Sequence, residues 1–310
     1  MRISTPWAQQ SSVNAMLDQQ SRLQQTQMQL STGKKILTPS DDPAAAARII
    51  DLNQSLAQTE QYQSNVNIAR HRLSMEESAL DSATEILQRI RELGVQGLSG
   101  TNTQASRTAA AVEMEALNGQ LLNLANTKNS NGEYMFAGFK TSTQPFSKDA
   151  SNPGAYGYAG DTNSRPIQID AARQVTDGDP GSSVFGVPTG ALPATVLLPG
   201  SIGNVFEAIN KFATDLKANT PVAASLDDIS RSLDKVMQTR ASVGARLNAL
   251  DRQEEINSDA ILNTKTVLSA TQDLDYAEAI SRFTQQTASL QAAQQTFTQV
   301  KKLSLFNYLS

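Results

Sequence analysis

His71 is the single histidine in a chain of 310 residues, and cysteine is absent. Those two facts remove most enzymatic chemistry at once. A Ser-His-Asp triad would have to use His71, and a multi-histidine metal site cannot be built from one such chain. Thiolate catalysis, disulfides and cysteine-ligated zinc are excluded. His71 stands between Arg70 and Arg72 inside a helical pattern, where a solvated face is its simplest role. Asp41 and Asp42 are adjacent carboxylates, but with Pro43 they read as a helix cap. Their oxygens can accept orphan backbone N–H groups, and proline suits a first helical turn. Asp161, Asp170, Asp177 and Asp179 lie among turn residues without EF-hand spacing. The STGKK run lacks a preceding Walker pattern. Trp7 is a candidate interface anchor or an incidental residue. These residues predict no catalytic, cofactor-binding or metal site, hence no enzyme and no cofactor.

The bulk properties agree. The net charge is −4, so no basic field points to nucleic acid. Aromatic residues make up 5%, thin for a compact globular core. No run approaches the ~18 apolar residues of a membrane span, and the opening MRISTPWAQQSSVNAML lacks the features of a cleaved secretory signal.

What the chain does carry is heptad spacing. Val13, Met16, Leu23 and Leu30 alternate by three and four, with Gln20 and Gln27 in the intervening slots. Gly33 and Pro39 end that pattern, and Pro43 starts another. Leu52, Thr59, Val66, Leu73, Leu80 and Leu87 recur every seven residues, with Ala69, Ala83 and Ile90 between them. A helix from Pro43 to about Leu98 would be ~80 Å long, which is coiled-coil length. Gly94, Gly97 and Gly100 are expected to stop it. A third helix runs through Ala110, Met114, Leu117, Leu121 and Leu124. Residues 129–203 are dense in turn formers, and EYMFAGF, PIQI and ATVLL read as strands. Helical spacing returns at Ile202 to Leu216. A long seam follows from Val222 to Leu268, with Arg240, Glu254, Asn257 and Thr264 as polar members. The last helix carries Tyr276, Ile280, Phe283, Leu290 and Phe297.

The expected fold is mainly α: a long antiparallel coiled coil or helical bundle formed by both chain ends, with a small inserted β-rich domain. Residues 1–42 with 272–310 form a terminal coiled coil, 43–140 with 200–271 a helical rod, and 141–199 the β-rich insert. The ends have one more property. Ile3 to Leu17 and Phe283 to Val300 contain no charged residue. A solvated helix usually carries Lys and Glu, whereas interface cores are depleted of charge. Both ends are therefore expected to be enclosed by other subunits, and to be disordered before association.

At this point RISTP, LSTGKKILTPSDDPAAAARI and the C-terminal DLDYAEAISRFTQQTASLQAAQQTFTQVKKLSLFNYL carry a family likeness. They resemble the two ends of the bacterial flagellin and hook-associated family. NSNGEYMFAGFKTSTQPF and YAGDTNSRPIQI are most similar to its hook-associated branch. The resemblance implies a structural subunit at the hook–filament junction of the bacterial flagellum, exported uncleaved by the flagellar type III system. Flagellin itself, the filament subunit, is the alternative. It implies contacts with the first junction protein, with flagellin and with copies of the same chain in a ring-like layer. It implies an extracellular place after a cytoplasmic stage, without nucleic-acid or membrane partners. By position, the inner coiled coil would use Val13, Met16, Leu23 and Leu30 against Phe283, Leu290 and Phe297. A cytoplasmic export chaperone would contact Ile280, Phe283, Leu290, Phe297, Leu303 and Phe306. An enzyme on a helical stalk is disfavoured, because the β region holds no histidine.

Overall fold

The computed structural model describes residues 5–150, 154–186 and 203–309. Seven helices and four short strands are assigned among them: α1 Thr5–Thr32, α2 Pro43–Leu98, α3 Gln104–Ala125, β1 Phe146–Lys148, β2 Tyr156–Tyr158, β3 Pro166–Gln168, β4 Gln174–Thr176, α4 Gly181–Val184, α5 Val205–Lys217, α6 Ala223–Gln272 and α7 Tyr276–Leu309. α2 is one continuous helix over the expected range, with its buried heptad seam running from Val66 onward. The chain divides into two compact units, residues 1–59 with 259–310, and residues 60–258. Both α2 and α6 contribute to each.

The second unit contains an extended core. Along α2, Val66, Ala69, Leu73, Leu80, Ala83, Leu87 and Ile90 are all fully buried, a seam of threes and fours. Ile229, Val236, Val243 and Leu250 of α6 complete it. Val222, expected in that seam, is instead exposed, because it precedes the first turn of α6. Arg240 of α6 sits between Glu77 and Asp81 of α2, at 2.9 and 2.5 Å. Arg70 reaches Asp251, at 2.7 Å, and Glu254.

Gly94 and Gly97 do not stop α2, which continues to Leu98. Their missing side chains admit Phe212 and Leu216 of α5: a Cβ would lie 2.6 Å from Phe212 Cε1 at Gly94, and 2.5 Å from Leu216 Cδ2 at Gly97. Both intruding residues are fully buried. Gly97→Val should therefore cost about 1–3 kcal/mol through overpacking, read as a lower urea midpoint. Gly100→Ala, whose Cβ would meet nothing within 4 Å, should leave that midpoint in place.

Among the described residues the β region holds two hairpins, β1 with β2 and β3 with β4. PIQ is β3, but EYMFAGF is not a strand. Gly138 takes φ +63°, and the carbonyl oxygens of Asp161 and Asn163 stand 2.6 and 2.9 Å from where its Cβ would be. The segment is pinned as a turn by Tyr134 N–H to Thr141 O and Gly181 N–H to Phe136 O, both 2.8 Å. ATVLL lies outside the described residues. Phe146, Tyr156, Phe185 and Phe206 form one aromatic cluster, with Phe206 5.0 Å from Phe146 and 5.5 Å from Tyr156 between ring centres. The Asn126 side chain brackets Phe146 like a neighbouring strand, donating to its carbonyl at 2.9 Å and accepting its N–H at 3.0 Å.

Candidate assembly interface

α1 and α7 pack against each other. Lys34 pairs with Asp273, Thr26 lies beside Gln286, and Val13 to Gln20 face Leu290 to Thr298, so the helices run antiparallel. Val13, Met16, Leu17, Leu290 and Phe297 line a groove of about 280 Å³ with Gln20, Gln294 and Thr298. Leu23, Leu30 and Phe283 are half-buried along the same helices.

The polar slots differ from the expected ones. Gln20 and Gln27 are exposed, while Gln19 is half-buried and Thr26 and Gln29 are buried. Spacing alone cannot choose between adjacent polar residues; hydrogen bonding does. Thr26 Oγ1 stands 3.0 Å from both Arg22 O and Gln286 Oε1. Gln29 donates to Lys35 O at 2.8 Å. On α7 the seam is Ala279, Phe283, Gln286, Leu290, Ala293 and Phe297. Ala279 is fully buried; Tyr276 and Ile280 are more than half exposed. Leu303 and Phe306 fall near the end of α7, where side chains lie outside the described residues.

A backbone bridge joins the two interhelical connections. Lys35 N–H donates to Gln272 O at 2.7 Å and Leu274 N–H to Gly33 O at 3.0 Å. Gly33 is at φ +69°, and its absent Cβ leaves room for the Tyr276 hydroxyl. Asp42 caps α2, accepting from Ala44 and Ala45 N–H at 3.1 and 3.0 Å. Pro43 is the first helical residue. Asp41 does not share that cap. It turns back to accept from Leu37 and Thr38 N–H at 3.0 and 2.9 Å, and from Gln25 of α1. Those backbone bonds, Thr38 first, hold its carboxyl below the ordinary value. Asp42→Ala should cost about 1 kcal/mol of helix stability. Circular dichroism melts read this, and Asp42→Asn should recover most of the loss.

This unit buries very little on its own. Among its described residues only Thr26, Gln29, Leu274 and Ala279 are buried. Leu17, Met28, Ile50, Leu262 and Ile280 are each more than half exposed. With so few buried side chains, these helices gain little stability from packing on one another alone. Among the described residues there is no cluster able to hold a metal, no helix long and apolar enough to cross a membrane, and His71 is exposed.

The model of the bacterial flagellin N-terminal helical region matches residues 3–141. Flagellar hook-associated protein 3 of Escherichia coli strain K12 is 35% identical over 320 aligned positions, covering 99% of each chain. The chain belongs to the flagellar hook-associated protein 3 family. The Salmonella typhimurium member of that family is 33% identical, again over 99% of each chain. By contrast, polar flagellin F of Vibrio parahaemolyticus is 30% identical over only 50% of this chain and 38% of its own. A solved flagellar hook-associated protein from Vibrio parahaemolyticus shares the fold, with a TM-score of 0.64 and 24% identity over 75% of this chain and all of its own.

Glu76 escaped the sequence reading. It fills the seam slot between Leu73 and Leu80, yet is only 2% exposed. The signal was present: the seven-residue repeat that places Ala69 and Ala83 places a carboxylate between them.

Proposed function

We infer that the chain is a structural subunit of the bacterial flagellum, forming the layer that joins the hook-side junction protein to the flagellin filament. The observation that carries this is the match along 99% of both chains to hook-associated protein 3, where flagellin aligns over half of this chain. The sparse burial within the terminal unit supports it, since helices with so little packing of their own gain stability when neighbours cover them.

In this reading the ends, residues 1–42 and 272–310, form an inner coiled coil surrounded by other subunits, in which Val13, Met16, Leu23 and Leu30 face Phe283, Leu290 and Phe297. Residues 43–140 with 200–271 serve as the rod, and 141–199 face outward. The partners are the first junction protein, flagellin and copies of the chain itself. Before export an escort protein in the cytoplasm covers α7, with Ile280 among its contacts because that side chain is exposed beside the seam. No catalytic role is assigned.

Immunogold labelling with an antibody to the exposed loops of the β region separates junction from filament. One labelled band at the base of each filament is the expected result. Label along the whole filament would make the chain a flagellin.

A further inference from the structure

Glu76 Oε1 accepts the backbone N–H of Asp179 at 3.1 Å, while Oε2 is buried without a hydrogen-bond partner. The charged groups around it come from five parts of the chain: α2, the segment after α3, the residue before β3, the segment after β4, and α6. Arg72, one turn earlier on α2, reaches Asp177 at 2.9 Å and Glu133 at 2.8 Å. Asp177, from the segment after β4, is 2% exposed and also binds Arg165. Asp179 from the same segment binds Arg246 of α6. Three guanidiniums, of Arg72, Arg165 and Arg246, thus face three other carboxylates, of Asp177, Asp179 and Glu133. An ionised Glu76 would be a fourth, buried, with one oxygen unsatisfied. Burial, then the Asp179 carboxylate, pushes its carboxyl up to about 8.

The segment it holds is the one that seats the β3–β4 hairpin on the long helices. Asn65 of α2 donates to Gln168 O at 2.7 Å, Arg173 reaches Gln253 of α6 at 2.8 Å, and Arg246 donates to Thr176 Oγ1 at 2.7 Å. These polar bonds add to an apolar seat, in which Ile169 is buried in the core and Ile167 and Val175 pack against it.

We propose that Glu76 is a proton-operated clasp, which seats the β3–β4 hairpin on α2 and α6 while its carboxyl is protonated and loosens it when that proton leaves. The direction follows from linkage. The docked form holds the proton more tightly than the opened form, so docking is strongest below the ordinary glutamate range. It weakens as pH rises toward 8, and is constant beyond, where both forms are ionised.

Two measurements on the full chain test this. The carboxyl carbon of Glu76, followed by NMR with labelled glutamate, should titrate with a midpoint near 8. Amide exchange at residues 166–181, corrected for intrinsic rates, should show opening that rises about tenfold per pH unit between about 5.5 and 7.5 and then levels off. Glu76→Gln keeps the shape and the accepting oxygen without the titration, and should abolish the slope. A midpoint below about 5 would overturn the proposal. So would wild-type opening independent of pH, or the same slope in the Gln variant, which would leave Glu76 a packing residue only.

Discussion

A strain whose chain carries Leu290→Asp together with Phe297→Asp is expected to spread in soft agar no further than a strain lacking the gene. Both side chains line the groove between α7 and α1, opposite Val13 and Met16. In an assembly that encloses this pair, both new carboxylates would enter an apolar seam, and the one at position 290 would have no cation within Phe283 to Val300. An unpaired buried charge costs several kcal/mol, and the double variant adds two carboxylates to every subunit. A blot of the culture medium separates failed assembly, with the variant present, from failed export through lost escort contacts, with the variant absent. Wild-type swimming would remove α1–α7 from the assembly core.

Phe206→Ala should cost about 3–5 kcal/mol of stability. Phe206 is fully buried and touches the rings of Phe146, Tyr156 and Phe185. Its truncation leaves a cavity where the β1–β2 hairpin meets α5, and removes three ring contacts together. The backbone cannot collapse into the space easily. Asn118 holds Phe206 O at 3.0 Å, and Asn204 caps α5 through Glu207 N–H at 2.9 Å. Urea unfolding of the purified chain reads the loss. Phe139→Ala, at a ring that is 53% exposed, should change the midpoint little. Equal effects from the two would contradict the placement of the aromatic core.

The long helices were legible because hydrophobic spacing is a direct record of which face is covered. Leu52 to Leu87 and Val13 to Leu30 repeat too regularly for any other geometry, and Gly33 and Pro43 mark where backbone chemistry ends one helix and starts the next. The same logic failed where spacing is silent. Thr26 is buried where it meets Gln286 across the interface, while Gln27 beside it is exposed, and spacing alone does not separate the two. Gly94 and Gly97 looked like stops, because a sequence cannot show that Phe212 and Leu216, more than a hundred residues on, need the space. EYMFAGF has strand composition, but the left-handed Gly138 and the carbonyls against it enforce a turn. The pairing of α1 with α7 followed from the heptads at both ends, while the absence of charge there is the ground for proposing that other subunits enclose the pair. Glu76 was hidden because a charged residue in a heptad is normally placed on the outside, and only the segment after β4 reveals why this one is not.

Deletion of the gene, with electron microscopy of the cells and a blot for flagellin in the medium, tests the central claim most directly. A junction subunit predicts bare hooks and flagellin shed into the medium, because filament subunits leave the cell but find nothing to anchor on. Normal, motile filaments would contradict the assignment.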